Sequence, residues 1–526
     1  MSEIEDGRVR TTMISESTFY RILKGNWGYL AILFAFSSFF VLVFSTSTSP
    51  LYPYPDTSDS FIFQVIGKEW LEGAVPYRDL YDNKGPFLYA MNAMGYWLLG
   101  NRSGVLLVQL AFLFSTAIVT FRFLRMGFTK RCSLWLTLVL IAGLSLGYNG
   151  GNNASEYALP FIMYAFYLFY SWLQKDTPLR VRATYTHDVF YGVALGICLM
   201  TRPSNGLVVG MIIGCMAIYH LKNRQIKRLA SYIVAVTVGI LSVCLPFAVY
   251  FTAKGCLDDF YYATIESNIH YLKNTGLFNS PMFFKRAVAL ICSYANCMVF
   301  PILGLLLICT KNKNWKNGVI WLVMGVVCLL FFARTNCYPN YAHICLPFAV
   351  IGLLELKSAA KALRANRLRH GVSVAIAVWI VGVNTWNISY MLVKNAMHDD
   401  SPQKLLYAAY DALLGDMPEE GRSSFASYEC LPEILLRWDI RPRYRFFALQ
   451  GFSLNYNADV YAKTNDEFAH GDAQWLMVNY WKDVPAKIRS TLNDRYTSVK
   501  SISEGENHLV LYKKIKNFKK ERNNSL

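Results

Sequence analysis

The sequence has few charged residues for its length. Asp, Glu, Lys and Arg make up only 17% of its 526 residues, whereas 54% are hydrophobic and 15% are aromatic, and the mean hydropathy is +0.25. A soluble fold of this size could not bury so much apolar surface, so we predict an integral membrane protein. No small-residue cleavage site follows the first apolar run, 27–46, and we therefore expect a retained anchor rather than a cleaved signal peptide.

Zinc-binding spacings and internal repeats are also missing. Most of the twelve cysteines lie in or beside apolar runs, where cysteine behaves as a small hydrophobe. We find no repeat of the kind that builds inverted-repeat transporters. Neither a structural zinc site nor that class of transporter is therefore favoured.

Basic residues are scarce in the short turns on one side of the predicted membrane. The net charge is +17, and with the N-terminus placed in the cytoplasm the basic loops fall on the cytoplasmic side, as the positive-inside rule requires. This placement explains the charge without a nucleic-acid partner. We predict eleven spans, at 27–46, 104–121, 132–148, 157–173, 189–201, 206–219, 231–251, 287–309, 318–333, 341–356 and 372–392.

Three segments on the opposite side are too long to be simple turns. They are the first loop, 47–103, a second segment at 252–286, and everything after about residue 393. The first loop contains two amphipathic stretches that are typical of helices lying along a membrane interface. The spans at 189–201 and 206–219 are short, which predicts a broken helical hairpin at "TRPSNG" between them. Functional residues are expected on these long segments.

The C-terminal segment has a different pattern from the rest of the chain. Short alternating pieces such as "QWLMVNY" and "HLVLYKKI" indicate strands, and "SPQKLLYAAYDALLG" indicates a helix. We therefore predict a small α/β domain outside the membrane. The predicted parts are a cytoplasmic N-terminal segment 1–26, a transmembrane domain 27–392, an extracytoplasmic α/β domain 393–512 and a basic tail 513–526.

Four motifs on the extracytoplasmic side occur in an order that resembles a known family. They are "DSFIFQVIGKEWLEGAVPYRDLYDNKGPFLY" in the first loop, "SEYALP" at the start of the fourth span, "TRPSNG" after the fifth, and "RTNCYPNYAHICLP" before the tenth. Over roughly residues 27–392 the chain resembles the GT-C superfamily of integral membrane glycosyltransferases. The most similar part of that superfamily is the bacterial branch related to protein O-mannosyltransferases and lipid A aminoarabinose transferases.

This resemblance implies both an architecture and an activity. The fold expected is an all-α polytopic membrane domain of GT-C type, followed by the small α/β domain. The activity expected is transfer of a hexosyl or pentosyl group, with inversion, from a polyprenyl-phosphate-linked donor to an acceptor hydroxyl. It would take place on the extracytoplasmic side of the plasma (inner) membrane. The partners implied are that donor, the lipid bilayer, and an acceptor glycan, lipid or protein of the cell envelope.

Such a transfer needs a base beside the acceptor hydroxyl, and two carboxylates follow the first span. A carboxylate gains basicity from positioning and partial desolvation. Asp59 is our first candidate because its spacing to Gly73 matches the family loop, and Asp56 is the second. The alternative for Asp59 is that it only caps the helix predicted at 60–72.

The donor phosphate needs cations, and three basic residues lie near outer span ends or in the first loop. We predict that Lys84, Arg202 and Arg334 bind this phosphate. For Lys84 the alternative is an ion pair with Asp79 or Asp82. For Arg202 it is an extended side chain that reaches the lipid headgroups.

Four further residues are predicted to contact the acceptor or the sugar. Glu156 starts the fourth span, where its alternative role is a favourable contact with the helix N-terminus. Tyr338, Tyr341 and His343 form an aromatic cluster suited to stacking on a sugar, although tyrosine is also common at membrane interfaces.

A divalent cation is an open option, whereas no other cofactor is expected. Asp56, Asp59 and Glu156 would supply the oxygen ligands that such an ion prefers. Two other functions also remain open. One is a transporter or flippase of lipid-linked sugars, which usually needs ionisable groups near mid-membrane. The other is a polysaccharide polymerase or ligase, for which a large late outer loop rich in Arg and His is expected.

Overall fold

The structure of the chain, a computed structural model, describes a large part of the region from Trp27 to Ile515. The described residues are 27–56, 59–174, 184–274, 302, 315–334, 338–362, 367–397, 401–451, 453, 457–481 and 483–515. The predicted cytoplasmic segment 1–26, the predicted span at 287–309 apart from residue 302, and most of the basic tail lie outside them.

Helices make up the N-terminal three quarters of the described chain. In order they are α1 (Trp27–Phe44), α2 (Ser60–Leu71), α3 (Pro86–Leu99), α4 (Arg102–Leu124), α5 (Lys130–Ala142), α6 (Ala154–Leu173), α7 (Tyr185–Thr201), α8 (Gly206–Lys222), α9 (Ile226–Ala253), α10 (Leu257–Tyr261), α11 (Ser267–Asn274), α12 (Trp315–Arg334), α13 (Leu346–Ala362) and α14 (Arg367–Ala396). Short 3-10 turns follow α5 and α7 and precede α13, and a π-helical turn joins α10 to α11.

Six helices in the described ranges are long and apolar enough to cross a membrane. They are α1, α4, α5 with its 3-10 extension, α8 with the preceding turn, α9, and the C-terminal part of α14. The predicted polytopic helical membrane protein is thereby confirmed. Each of these helices exposes large apolar side chains, as is typical of surfaces that contact lipid.

Four further predicted spans correspond to α6, α7, α12 and α13, which have 17 to 20 residues. The helices α7 and α13 have 17 residues each, the lower limit for a full crossing, and α6 contains Pro160. The turn Pro203–Asn205 separates α7 from α8 at the predicted "TRPSNG" break. The segment expected at 206–219 is longer than predicted. Together with the preceding turn it runs from Pro203 to Lys222.

The helices α7 and α9 pack unusually closely through a pair of glycines. A Cβ on Gly192 would lie 2.0 Å from the carbonyl oxygen of Val236, and one on Gly239 would lie 2.1 Å from that of Val189. Small residues at a crossing let two membrane helices approach through their backbones. This contact holds the middle of α7, the helix that Arg202 follows, against the neighbouring helix.

The C-terminal part of the chain forms the predicted small α/β domain. Its elements are α15 (Ser401–Leu414), β1 (Phe425–Tyr428), α16 (Glu433–Arg437), α17 (Ala458–His470), β2 (Trp475–Asn479), α18 (Ala486–Arg495), β3 (Tyr496–Glu504) and β4 (Asn507–Lys514). The strand order is β1-β2-β4-β3, with β1 parallel to β2 and the other two pairings antiparallel. All five residues of β2 are buried, as expected for a central strand covered on both faces.

One hydrophobic core joins this sheet to the first loop. It contains Ile66 of α2 and Leu88 of α3 together with Phe425, Trp475 and Leu511 of the sheet. Burial of these side chains from two distant parts of the sequence fixes the domain against the loop. The cavity described next lies beside this core, between the C-terminal domain and the first loop.

Candidate active site

A cavity of about 590 Å³ lies where the first loop, the end of α7, the segment before α13 and the C-terminal domain meet. This volume is in the range of small-molecule sites. Five of the predicted site residues line it, and these are Asp59, Lys84, Arg202, Tyr338 and Tyr341. The structure therefore brings together residues that the sequence separates by more than 250 positions.

Asp59 lies directly before α2 with its carboxyl group in the cavity wall. Its side chain makes no hydrogen bond to the helix N-terminus, so capping does not occupy it. The side chain is exposed to the cavity itself, yet surrounding protein displaces bulk water, and this desolvation raises the pKa of the Asp59 carboxyl. Nearby Asp82 acts in the same direction on this pKa, whereas Lys84 and Arg202 oppose it.

Lys84 lies on a loop whose backbone is held by buried tyrosines. The Tyr77 hydroxyl donates to the Lys84 carbonyl oxygen over 2.8 Å, and the Tyr89 hydroxyl donates to Asp82 Oδ2 over 2.8 Å. Lys84 Nζ donates to Asn83 Oδ1 over 2.7 Å. Asp79, one alternative partner considered for Lys84, is bound by the neighbouring Arg78 with an Nε to Oδ1 distance of 2.8 Å.

Arg202 leaves the end of α7 in an extended conformation and turns into the protein. Its guanidinium group donates to Asn205 Oδ1 over 2.9 Å and lies 3.8 Å from the centre of the Tyr341 ring. Tyr341 in turn packs against Tyr338 in a T-shaped arrangement with ring centres 5.8 Å apart. Arg202 is only 9% exposed, so its charge is directed into the cavity wall rather than toward lipid headgroups.

Two predicted site residues form part of a buried network instead of lining the cavity. Glu156 accepts hydrogen bonds from the backbone N–H of Asn153 over 2.8 Å and from Gln109 Nε2 over 2.9 Å, which completes a capping box at the start of α6. His343 contacts the Leu144 carbonyl oxygen through Nε2 at 3.1 Å. Both side chains therefore stabilise segments next to the cavity without lining it.

The remaining two predicted residues lie elsewhere. Asp56 is exposed and accepts a hydrogen bond from Gln403 Nε2 over 2.7 Å, and it does not line the cavity. Arg334 ends α12, and its side chain lies outside the described residues.

Sequence reasoning missed several residues of the cavity. Asp82 lines it beside Lys84, although it was considered only as a salt-bridge partner. Asn149 and Asn153 also line it, and the Asn- and Gly-rich run "NGGNN" after the third span was a signal that could have indicated them. Leu449 and Asn457 come from the C-terminal domain, where no local pattern marks them.

A family model with the description "Putative competence-induced protein Ccs4 N-terminal domain" matches residues 26–391. The chain belongs to this family. No curated protein matches the sequence. The family region includes Asp59, Lys84 and Arg202, whereas the C-terminal domain that closes the cavity lies beyond it.

Solved structures share the fold of this Ccs4 family member. ArnT from Cupriavidus metallidurans bound to undecaprenyl phosphate has a TM-score of 0.58 at 14% identity, covering 95% of this chain and 99% of that one. The same protein in the apo state has a TM-score of 0.55 at 14% identity, with coverage of 95% and 98%. The Archaeoglobus fulgidus oligosaccharyltransferase in complex with Zn and sulfate has a TM-score of 0.50 at 12% identity, with coverage of 90% and 72%. The expected GT-C fold is confirmed.

A divalent cation would require the acidic residues predicted as its ligands to lie close together. Within the described parts of the chain, no three or more His, Cys, Asp and Glu side chains are grouped so that they could hold a metal ion. Asp56, Asp59 and Glu156 accordingly do not form the three-ligand set considered from the sequence. The arrangement present is instead a carboxyl group facing cations across a shared cavity.

Proposed function

We propose that this protein is a glycosyltransferase that transfers a sugar from a polyprenyl-phosphate-linked donor to an acceptor hydroxyl. The observation that carries the proposal is the placement of Asp59 in one cavity with Lys84 and Arg202. This chemistry needs a carboxyl group, two cations and a site beside the ends of membrane helices. The neighbours with the same fold support it, because ArnT was solved with undecaprenyl phosphate.

In the reaction proposed, the acceptor oxygen attacks the anomeric carbon while the bond from that carbon to the phosphate oxygen breaks. The electron pair of the broken bond stays on the phosphate, and the acceptor proton moves to Asp59. The products are a glycoside of inverted configuration, the polyprenyl phosphate and a protonated Asp59. Partial desolvation suits Asp59 to this task because it makes the carboxylate a stronger base than it is in water.

Lys84 and Arg202 stabilise the negative charge that develops on the leaving phosphate. Lys84 presents a compact ammonium group, and Arg202 presents a planar guanidinium held against Tyr341. Tyr338 and Tyr341 offer aromatic surfaces for a sugar or the carrier headgroup. No step is assigned to a metal ion, because the described carboxylates supply no cluster for one.

The proposal places the cavity on the extracytoplasmic side of the plasma (inner) membrane, with the N-terminus in the cytoplasm. The asymmetric distribution of Lys and Arg among the predicted loops supports this orientation. The acceptor would then be a glycan, lipid or protein of the cell envelope, and the transferred group a hexose or pentose.

The test is turnover by the purified protein in lipid nanodiscs with a panel of polyprenyl-phosphate sugars. Release of free polyprenyl phosphate is measured for the wild type, Asp59→Asn and Asp56→Asn. We expect Asp59→Asn to lower turnover by a factor of ~10²–10⁴, since positioned general bases contribute about that much. Asp483→Asn is the matched control, because its side chain is fully exposed in the C-terminal domain.

The outcomes separate the functions that remain open. Full turnover by Asp59→Asn together with loss in Asp56→Asn would move the base to Asp56. Movement of a lipid-linked sugar across the membrane without carrier release would replace the transferase by a flippase. Labelling that finds the cavity open to the cytoplasm would overturn the orientation.

A further inference from the structure

Asp82 is a second carboxylate in the cavity, and the reaction proposed above gives it no role. The residue is 9% exposed and lines the same cavity as Asp59 and Lys84. Its Oδ2 accepts a hydrogen bond from the Tyr89 hydroxyl over 2.8 Å. Among the described residues, no hydrogen-bond donor contacts its other oxygen, Oδ1, which is available to a ligand.

The charges in the cavity are balanced before any substrate enters. Asp59 and Asp82 supply two carboxyl groups, and Lys84 and Arg202 supply two cations. Asp82 is close enough to Asp59 for its charge to raise the pKa of that carboxyl. When a donor phosphate takes up the two cations, both carboxyl groups remain in the cavity that the sugar must enter.

We propose that Asp82 contacts the donor sugar and makes the site selective for sugars without a carboxylate. Its free oxygen accepts hydrogen bonds from sugar hydroxyl or amino groups, and its charge repels an acidic sugar. This inference rests on the proposed glycosyltransferase function and names the substrate class of that same site.

The repulsion is large enough to decide between two otherwise identical sugars. A carboxylate on the donor sugar would share the cavity with the like charge of Asp82, and at such short range the repulsion is expected to lower binding of the acidic donor by at least ~10-fold. Asp82 Oδ1 faces the cavity without a protein donor among the described residues, so it can accept hydrogen bonds from a ligand rich in hydroxyl groups. A neutral or amino sugar supplies such donors at every ring position.

The first experiment compares turnover of two donors that differ at one carbon. They are undecaprenyl-phosphate glucose and undecaprenyl-phosphate glucuronic acid, offered to the wild type and to Asp82→Asn in nanodiscs. We expect the wild type to prefer the neutral donor by at least ~10-fold in kcat/KM, and Asp82→Asn to reduce that preference by at least ~10-fold. The asparagine can still accept the Tyr89 hydrogen bond, so the loop is expected to keep its structure.

A matched control and a second readout keep the two proposals separate. Asp258→Asn makes the same chemical change at an exposed position that does not line the cavity, and it should leave the preference unchanged. Binding of the same two donors is also measured in an Asp59→Asn background, with and without Asp82→Asn, by isothermal titration calorimetry. This comparison needs no turnover.

The results that would overturn the inference are specific. Equal binding of the two donors by the Asp59→Asn protein, or a preference that survives Asp82→Asn, would exclude Asp82 from sugar selection. If no donor is turned over but the neutral donor still binds better and Asp82→Asn removes the difference, the selectivity stands and the transferase function fails.

Discussion

The backbone N–H of Gly85 donates to the carbonyl oxygen of Thr201 over 2.8 Å. This single bond lays the loop that carries Lys84 directly against the end of α7, next to Arg202. This contact therefore brings the segments of the two cations together, although they are more than 100 residues apart in the sequence. A side chain at residue 85 would not fit, since its Cβ would lie 2.2 Å from the backbone carbon and oxygen of Met200.

Gly85→Ala is therefore expected to separate the two cations. Forcing a methyl group into this contact should destabilise the protein by roughly 1–3 kcal/mol and displace Lys84. We expect carrier release to fall by at least ~10-fold, because phosphate stabilisation depends on both cations acting together. Turnover and thermal unfolding in nanodiscs measure the two effects. Gly210→Ala is the matched control, because a Cβ at that position would have no atom of another described segment within 4 Å.

The pH dependence of turnover should report the charges around Asp59. Only the ionised carboxyl accepts a proton, so kcat/KM rises with pH through the raised pKa of Asp59. Asp82→Asn removes a negative charge and lowers that pKa, which moves the acid limb to lower pH. Lys84→Met removes a positive charge and moves it to higher pH. Profiles of log kcat/KM that do not shift in these two opposite directions would contradict the assignment of Asp59.

The stacking of Arg202 on Tyr341 predicts that lysine cannot replace arginine at this position. An ammonium group neither stacks as a plane nor offers two parallel donors to phosphate. Arg202→Lys should weaken binding of polyprenyl phosphate by ~10-fold, measured by titration calorimetry, whereas Tyr341→Phe keeps the ring and should change the Kd little. An unchanged Kd of Arg202→Lys for polyprenyl phosphate would mean that the positive charge alone is sufficient at this position.

The junction between the C-terminal domain and the first loop should be sensitive to pH. Burial raises the pKa of Glu433 from its ordinary value of 4.5 to about 8, although Arg102 and Arg437 oppose this shift, and the Tyr407 hydroxyl donates to the carboxyl. The folded protein thus keeps a proton that the unfolded chain releases. Its stability therefore falls as the pH rises from about 4.5 to about 8.

Glu433→Gln should remove much of this dependence, because glutamine does not titrate. We expect the fall in Tm between about pH 5 and about pH 8.5 to become smaller in this variant than in the wild type. Glu506→Gln, in the exposed turn between β3 and β4, is the control. Identical slopes for wild type and Glu433→Gln would show that this carboxyl does not titrate between the two values.

Features with a strong local signal were predictable from the sequence. The helix expected at 60–72 is α2 (Ser60–Leu71), and the pieces expected as strands in the C-terminal segment are β2 and β4. The order of their motifs on one side of the predicted membrane also indicated that Asp59, Lys84 and Arg202 lie together, and all three line one cavity. Long apolar runs and glycine-bounded helices carry their information within about twenty residues.

Features that depend on contacts between distant segments were not predictable. The strand β3 is an edge strand with mostly exposed side chains, so it lacks the alternation that marked its partner β4. Asp82 resembled a surface residue until Tyr89 and the cavity were in place. For Glu156 the structure shows the alternative role given in the sequence analysis, a contact at the helix N-terminus, which is a local feature.

The boundary of the family and the boundary of the cavity do not coincide. The matched region stops at residue 391, yet Phe446, Ala448 and Leu449 form one wall of the enclosed space. A chain cut after the family region would keep both acidic and basic groups but leave them open to water on that flank. Exchange of the C-terminal domain between relatives would therefore change the shape of the cavity but keep its four charged side chains.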